Sequence, residues 1–226
     1  MAFPQGAIPG IDVSHLQGVV DWTSVVAGGD VFAFAKATEG ITFNDPYFHD
    51  NWQGMKQAGL LRGAYHYYRA NDDPAAQANT FLTALGNANG SATLAPGDLP
   101  AALDLEVTLG VDPATILQGV ATWLTTVEAA TGQTPFIYTY PSFWQGLGNP
   151  LTLSQYPLWI ARYGVSSPGS LGGWSDWTIW QFDPNHTISG VAGPVDADGY
   201  QGTLASLQAL AGIVAAAPPD PGQANT

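Results

Sequence analysis

The chain has 226 residues, 46% of them hydrophobic, and no cysteine, so we expect one domain with a sizeable core and no disulfides or thiolate metal sites. Eighteen Asp and Glu against five Lys and Arg give a net charge of −13, which argues against nucleic acid and anionic membranes as partners. No apolar run approaches the roughly 20 residues that span a bilayer, and residues 1–6 lack the basic and apolar regions of a signal peptide.

Eight apolar runs flanked by turn residues predict β-strands along the chain. They cover residues 8–14, 31–38, 62–68, 99–107, 135–140, 157–163, 177–183 and 193–200. Helices are predicted at about 46–58, 74–85 and 113–130, each opened by an Asp-Pro pair in which Asp45, Asp73 or Asp112 is the expected N-cap. Segments 141–156 and 164–176 are rich in Gly, Pro and Ser, which predicts that the helices after the later strands are short or missing.

Alternating strands and helices predict an α/β fold with a parallel sheet. About eight strands in roughly 200 residues favour a single-domain, irregular (β/α) TIM-like barrel with shortened or missing later helices. A doubly wound open sheet is the alternative, but no Gly-rich phosphate loop follows the first strand. We expect the barrel to occupy residues 1–214 and residues 215–226 to be a Pro/Ala-rich tail or linker.

Two acids at the end of the fourth predicted strand are the strongest indication of chemistry. Asp104 and Glu106 alternate with Leu103 and Leu105, so they share one face of that strand and lie about 7 Å apart. At an effective dielectric of about 20, two charges at that distance repel by about 2.4 kcal/mol, which raises one pKa by nearly two units. A protonated acid beside an ionised one is the arrangement that cleavage of a glycosidic bond requires.

Polar residues also end other predicted strands, at the edge where a barrel carries its active site. Asp12 ends the first strand, Lys36 the second, Tyr65 the third and Asp196 the eighth. If the barrel closes, the first and eighth strands are neighbours and bring Asp12 and Asp196 to one side of the mouth. Structural alternatives stay open: Asp12 as a helix cap, Asp196 in an Asx turn, and Lys36 as a counter-charge for the acid pair. The histidines lack metal-site spacing, so we predict no metal and no cofactor.

Several ordered motifs make the chain resemble the muramidases of glycoside hydrolase family 25 over nearly the whole predicted domain. They are GIDVSHLQG (10–18), FAKATEG (34–40), AGLLRGAYHYY (58–68), LDLE (103–106), TGQTPFIYTY (131–140), YPLWIARYG (156–164), IWQF (179–182) and GPVDADGY (193–200). The resemblance implies an irregular (β/α) barrel that hydrolyses the β-1,4 bond between N-acetylmuramic acid and N-acetylglucosamine in peptidoglycan.

The resemblance also implies roles for individual residues. Glu106 matches the general acid, and Asp104 matches a carboxylate that stays ionised and orients either the substrate's acetamido group or a water molecule. Asp12 and Asp196 match the two other acids of the site. The residues expected to bind substrate are Tyr65, Tyr138, Trp180, Lys36 and Trp159.

The sequence leaves other functions open. A chitinase-like hydrolase would also place Asp-x-Glu after strand four, although it normally has further Asp where this chain has Ala101 and Ala102. A metal-dependent phosphodiesterase would use the same acids as oxygen ligands, and a non-catalytic module would bind the cell wall without cutting it. We expect a monomer that acts on peptidoglycan, outside the cell or at the bacterial wall, as a mature enzyme or a phage endolysin.

Overall fold

Nine β-strands form one sheet in the computed structural model, which describes residues 3–214. The strands are β1 (Ile8–Val13), β2 (Phe32–Glu39), β3 (Phe43–Asn44), β4 (Leu61–Tyr67), β5 (Ala102–Asp104), β6 (Phe136–Thr139), β7 (Leu158–Ala161), β8 (Ile179–His186) and β9 (Val195–Tyr200). The helices are α1 (Trp22–Gly28), α2 (Phe48–Ala58), α3 (Pro74–Asn89), α4 (Pro113–Thr131), α5 (Pro141–Gly146) and α6 (Leu204–Leu210). The tail predicted at 215–226 lies outside the described residues.

The sheet closes on itself because β1 pairs with β2 on one side and with β9 on the other. The order around the barrel is β1, β2, β4, β5, β6, β7, β8, β9, while β3 pairs only with the end of β2. This closed barrel of eight strands confirms the predicted fold and contradicts the open, doubly wound alternative. Among the described residues, no helix combines the length and the apolar character needed to cross a membrane.

The last strand departs from the prediction. β9 runs antiparallel to both of its neighbours, β1 and β8, whereas the other neighbouring strands of the barrel are parallel. No helix lies between β8 and β9 to carry the chain back across the barrel, so β9 returns directly beside β8. The prediction that the last strand ends at Asp196 was therefore wrong: Asp196 lies at the start of β9. It still reaches the mouth of the barrel, directly opposite Asp12.

Helix caps explain most helix boundaries. Asp73 and Asp112 are N-caps of α3 and α4, and Asp21 caps α1, as their residue types predict. Asp45 is different, because α2 begins only at Phe48 and Asp45 instead accepts hydrogen bonds from the backbone N–H of His15 and Tyr47, at 2.8 and 3.0 Å. The later helices are short, as predicted: α5 has six residues, and segment 164–176 contains no helix.

Two apolar layers separate the inside of the barrel from its helical coat. Along β2, Phe32 and Phe34 belong to the inner layer, whereas the alternate residues Ala33 and Ala35 belong to the outer one. Gly63 on β4 leaves room for Phe34, since a Cβ there would lie 2.1 Å from the ring. The inner rings fill the base of the barrel, so open space remains at the C-terminal ends of the parallel strands.

A buried ion pair joins several elements at the other end of the barrel. Arg62 of β4 donates through Nε to Asp98 Oδ1 at 2.7 Å, and its guanidinium lies 4.0 Å from the centre of the Trp52 ring on α2. The same guanidinium also donates to the carbonyl of Trp52 and to Asn89 at the end of α3. One side chain therefore fixes α2 and α3 to the sheet, away from the mouth.

Candidate active site

A pocket of about 110 Å³ opens at the C-terminal ends of the parallel strands, where a barrel of this type carries its chemistry. It is lined by Asp12, Tyr65, Asp104, Glu106, Tyr138, Trp159, Gln181 and Asp196. These side chains come from seven different strands or the residues that follow them directly. The pocket thus collects polar groups that are far apart in the sequence.

A wider groove of about 770 Å³ continues from this pocket. The two cavities share Glu106, Tyr138, Gln181 and Asp196. The remaining groove residues come from α5 and its N-cap, and from the end of β7 and the two residues after it: Tyr140, Pro141, Ser142, Gln145, Ala161, Arg162 and Tyr163. A long polymer could therefore lie along the groove while one of its bonds reaches the acids in the pocket.

Asp104 and Glu106 lie closer together than the sequence predicted. The predicted strand 99–107 is reduced to β5, because the neighbouring strands end at Tyr67 and Thr139 and leave no ladder to extend. The chain therefore leaves the strand after Asp104, and the two carboxyl groups share a hydrogen bond. The separation of about 7 Å expected for two residues of one strand face does not apply.

This carboxyl pair retains a proton. Burial raises the pKa of Asp104 well above its usual range, and the charge of Glu106 raises it further. Burial also raises the pKa of Glu106. Asp104 Oδ1 is buried and has no hydrogen-bond partner in the described part of the chain, so ionisation of Asp104 would leave a buried charge unsatisfied. Asp104 is only 7% exposed, and its deeper burial favours the proton on Asp104 in the free protein.

A second carboxyl pair, Asp12 and Asp198, lies across the barrel from the first. Asp12 Oδ2 accepts a hydrogen bond from Gln181 Nε2 at 2.6 Å, and Asp198 Oδ1 accepts one from Trp159 Nε1 at 2.8 Å. Burial raises the pKa of both acids, and the two carboxyl groups share a hydrogen bond. Asp198 Oδ2 has no hydrogen-bond partner among residues 3–214, so its burial disfavours the ionised form of Asp198.

Asp196 completes the acidic lining of the pocket. Its backbone is in register with Asp12, so the two side chains face the same mouth from neighbouring strands. Burial raises the pKa of Asp196 to about 6, with smaller contributions from the charges of Glu106 and Asp183. Its protonation state therefore changes close to neutral pH.

Gln181 connects the acids to the aromatic residues of the site. Its Oε1 accepts hydrogen bonds from the hydroxyl groups of Tyr138, at 2.8 Å, and Tyr163. Because an amide oxygen accepts and an amide nitrogen donates, these two contacts fix the direction of the amide and point Nε2 at Asp12. Gln181 thus positions Asp12 within the pocket.

Comparison with known proteins identifies the family of this barrel. The family model "Glycosyl hydrolases family 25" matches residues 11–191. This chain belongs to glycosyl hydrolase family 25. It is 35% identical over 214 residues to lysozyme M1 of Streptomyces globisporus, a match that covers 90% of this chain and 71% of that protein. The enzyme is therefore a glycoside hydrolase, as the motifs predicted.

Solved structures of related lysozymes and muramidases share its fold. The bacterial lysozyme from Streptomyces coelicolor superimposes with a TM-score of 0.85 at 32% identity, covering 93% of this chain and all of that chain (100%). The muramidase from Trichobolus zukalii gives a TM-score of 0.80 at 34% identity, covering 91% of this chain and 99% of that one. The predicted resemblance to the family 25 muramidases is confirmed.

The structure of this family 25 hydrolase brings most of the predicted site residues together. The four predicted catalytic residues, Glu106, Asp104, Asp12 and Asp196, all line the pocket. Tyr65, Tyr138 and Trp159, predicted to bind substrate, line it as well. Their roles stay predictions, but their placement meets the geometric requirement for a common site.

Two residues expected to bind substrate lie elsewhere. Trp180 is only 4% exposed and belongs to the outer layer, where its Nε1 donates to the carbonyl of Arg162 at 2.7 Å. It alternates with Gln181 on β8, and Gln181 takes the inward face. Lys36 does not line the pocket: its Nζ bonds Glu39 at 2.6 Å and lies 4.8 Å above the ring of Tyr67. Its charge still lowers the pKa of Asp104 and of Glu106, which fits the alternative role as a counter-charge for the acid pair.

Asp198 and Gln181 are not among the predicted site residues, yet both face into the barrel. The sequence contains a signal for each: Asp198 is two residues from Asp196 on the same strand, and Gln181 lies in the IWQF motif. The Gly-rich surroundings of Asp198 indicate a turn, which obscures its signal. Among residues 3–214, no group of three or more His, Asp or Glu is arranged to hold a metal ion.

Proposed function

We propose that the protein is a lysozyme of the N-acetylmuramidase type, which hydrolyses the β-1,4 bond between N-acetylmuramic acid and N-acetylglucosamine in bacterial peptidoglycan. The observation that carries this proposal is the buried Asp104–Glu106 pair at the junction of the pocket and an open groove. The names of two relatives, a lysozyme and a muramidase, support the same activity.

Glu106 is the general acid in this proposal. It lines both cavities, so it can reach a glycosidic oxygen of a polymer that lies in the groove. Burial raises its pKa, which favours the protonated form that a general acid needs. As the bond between the anomeric carbon and the leaving oxygen breaks, Glu106 gives its proton to that oxygen.

Asp104 assists through the substrate's own acetamido group. Pairs of carboxyl groups that act by the common mechanisms lie about 5–5.5 Å apart in retaining enzymes and about 6.5–9.5 Å apart in inverting ones. The side chains of Asp104 and Glu106 interact directly through a hydrogen bond, which leaves no place between them for the water that an inverting pair activates. This favours acetamido assistance over a water-activating role, the alternative that the sequence left open. In this step the acetamido oxygen attacks the anomeric carbon, and Glu106 later takes a proton from the water that opens the cyclic intermediate.

The position of the shared proton changes when substrate binds. In the free protein the proton favours Asp104, whereas the sequence had led us to expect that Asp104 stays ionised. A substrate acetamido N–H that donates to Asp104 stabilises its ionised form. The proton then crosses the shared hydrogen bond from Asp104 to Glu106. Glu106 therefore carries the catalytic proton only when an N-acetyl sugar occupies the pocket.

The other pocket residues bind and hold the reacting sugar. Asp12, fixed by Gln181, and Asp196 offer acceptors for sugar hydroxyl groups. Tyr65, Tyr138 and Trp159 supply aromatic walls with polar edges, which suit the faces of sugar rings. We further infer that the enzyme acts as a monomer at the bacterial wall. Its charge of −13 disfavours nucleic acid and anionic lipid as partners.

The proposed activity is tested by digesting purified peptidoglycan and identifying the released fragments by mass spectrometry. A muramidase leaves muramic acid at the new reducing ends. Glucosamine at those ends would indicate a glucosaminidase, and equal cleavage of chitin oligosaccharides would indicate a chitinase-like enzyme. Binding to the insoluble wall without new reducing ends would contradict catalysis and support a wall-binding module.

A further inference from the structure

One basic side chain lines the catalytic groove of this acidic protein. The chain has five Lys and Arg, and of these only Arg162 contributes to the described pocket or groove. The other four lie elsewhere: Lys36 and Arg69 at Glu39, Arg62 at Asp98, and Lys56 in the last turn of α2. Arg162 is therefore the one basic residue that lines the groove, while the charge of Lys36 acts on Asp104 and Glu106 from outside the lining.

Arg162 is held in place but keeps most of its hydrogen-bonding capacity. It directly follows β7, and its backbone N–H donates to the carbonyl of Gln181 at 3.1 Å. Its Nη1 donates to the carbonyl of Pro168 at 2.7 Å. A guanidinium has five N–H donors in a planar fork, and no carboxylate of residues 3–214 forms an ion pair with this one. The exposed head group is thus oriented and unneutralised.

An acidic substrate could bind in this acidic groove only if a positive charge offset the repulsion, and Arg162 supplies one. Glu106 and Asp196 line the same groove, and the whole protein carries a charge of −13, so an anionic group would otherwise be repelled. The proposed substrate is acidic: the lactyl ether of muramic acid ends in a carboxyl group. That group is free in peptide-stripped glycan, whereas in intact peptidoglycan it is linked to a stem peptide that carries carboxylates of its own.

We propose that Arg162 is a specificity-determining residue that binds a carboxylate of the substrate through its guanidinium fork. The inference rests on the proposed muramidase function and deepens it, because it distinguishes the acidic sugar polymer from neutral N-acetyl sugar polymers. A planar guanidinium matches a carboxylate with two parallel hydrogen bonds, which a lysine cannot reproduce. The carboxylate belongs either to the lactyl group or to the stem peptide.

The test compares two forms of one glycan. Peptide-free glycan strands are prepared with their lactyl carboxylates free, and a second portion has the same carboxylates converted to neutral amides. Arg162→Ala should raise KM about tenfold or more on the acidic form, as expected for loss of a charge-assisted hydrogen bond, and less than about twofold on the amide form. Arg162→Lys should fall between Ala and wild type on the acidic form, because it keeps the charge without the fork.

Lys56→Ala is the matched control, since it removes one positive charge from the exposed end of α2 and should change neither KM. A second pair of substrates distinguishes the lactyl carboxylate from the carboxylates of the stem peptide. It consists of intact peptidoglycan fragments with free and with amidated peptide carboxylates. Discrimination in the first pair identifies the lactyl carboxylate, and discrimination only in the second identifies the stem peptide. Either result supports the proposal.

Equal losses on the acidic and the amide forms in both substrate pairs would overturn it and leave Arg162 as a support for segment 164–176 through Pro168. No loss on any substrate would overturn it as well. If Arg162→Ala does not fold, Arg162→Gln decides, since its amide can still donate to the carbonyl of Pro168 but carries no charge: it should raise KM on the acidic form and not on the amide. A wild type that releases no muramic acid ends from any substrate would instead refute the proposed function.

Discussion

Glu106 and Asp196 are the two acids that line both the pocket and the groove, so either could meet a glycosidic oxygen. Only Glu106 has a carboxyl partner that can pass it a proton, because it shares a hydrogen bond with Asp104. Asp196 faces Asp12 from a neighbouring strand and has a pKa of about 6, so it is largely ionised at neutral pH. The difference in partners assigns the acid role to Glu106.

The substitution Glu106→Gln should therefore remove most of the activity and leave the fold intact. Gln has the same shape but no proton to give, and general acids contribute about a hundredfold to ten-thousandfold in rate. We expect kcat on peptidoglycan to fall at least about a hundredfold, with an unchanged circular dichroism spectrum. Glu128→Gln, on the exposed face of α4, is the matched control. Retention of more than a few per cent of activity would contradict the assignment.

The carboxyl pair also predicts how activity depends on pH. Burial raises the pKa values of Asp104 and Glu106, so the pair holds its proton above the usual carboxyl range and loses it as the pH rises. The alkaline side of the kcat/KM profile should report this loss. In Asp104→Asn no neighbouring charge opposes ionisation of Glu106, so the alkaline limb should move to lower pH by about one unit, or about 1.4 kcal/mol.

Measurement of kcat/KM against pH for both enzymes tests this shift. Asp50→Asn is the control, since that side chain is 84% exposed on α2 and the limb should stay where it is in the wild type. If the alkaline limb of the kcat/KM profile of Asp104→Asn stays at its wild-type pH, the catalytic proton does not belong to the Asp104–Glu106 pair.

At the scale of elements, the strands and their order could be predicted because each carries a short apolar run between turn residues. The Asp-Pro pairs located α3 and α4, since Asp73 and Asp112 cap them as expected. The direction of β9 could not be predicted, because an apolar run specifies a strand and not its orientation. That depends on the length of the connection from β8, which is short and holds no helix.

The sequence also did not show which residues of the later strands point into the barrel. β8 has large side chains on both faces, so the pattern alone does not say whether Trp180 or Gln181 points inward. The packing decides: Trp180 joins Phe182 in the outer layer, and Gln181 bonds Asp12. By contrast, Asp104 could be placed at the mouth, because Leu103 and Leu105 on either side of it must take the outer, apolar face.

The buried ion pair at the base of the barrel leads to a prediction about stability. Arg62 and Asp98 are each 2% exposed at the side chain, so Asp98→Ala would leave a buried guanidinium without its counter-charge. We expect the free energy of unfolding to fall by about 3–5 kcal/mol. Denaturant titration measures this change, and kcat/KM of the folded fraction should stay at the wild-type value, because the pair lies away from the mouth.

Two further variants sharpen that measurement. Asp50→Ala removes an exposed carboxylate and should change the free energy of unfolding by no more than about 0.5 kcal/mol. The double variant Arg62→Met with Asp98→Leu should lose less stability than Asp98→Ala, since neither charge then remains buried alone. If the double variant is the less stable of the two, the guanidinium itself contributes the stability, through Trp52 and Asn89.

At the scale of the whole molecule, barrel closure is what assembles the acids. Asp12 and Asp196 are 184 positions apart in sequence numbering yet directly paired, and they meet because β9 closes the gap between β1 and β8. The closure concentrates carboxyl groups in a protein that already has eighteen acids and five bases. Charge repulsion is therefore a property of the entire fold as well as of the pocket.

This repulsion predicts that salt stabilises the protein. Raising NaCl from about 0.01 M to about 0.15 M shortens the screening length from about 30 Å to about 8 Å, which weakens repulsion across the molecule. We expect Tm at pH 7 to rise by about 2–4 °C, which corresponds to about 1 kcal/mol in a domain of this size. Calorimetry at the two salt concentrations measures the change.

The same pair of scans near pH 4.1, the isoelectric point, is the matched control, because the net charge is then close to zero and the rise should vanish. An equal rise at both pH values would assign the effect to salt acting on apolar surface rather than on charge. A fall in Tm at pH 7 would mean that local pairs such as Lys36–Glu39 contribute more than the net repulsion costs, since salt weakens attraction and repulsion alike.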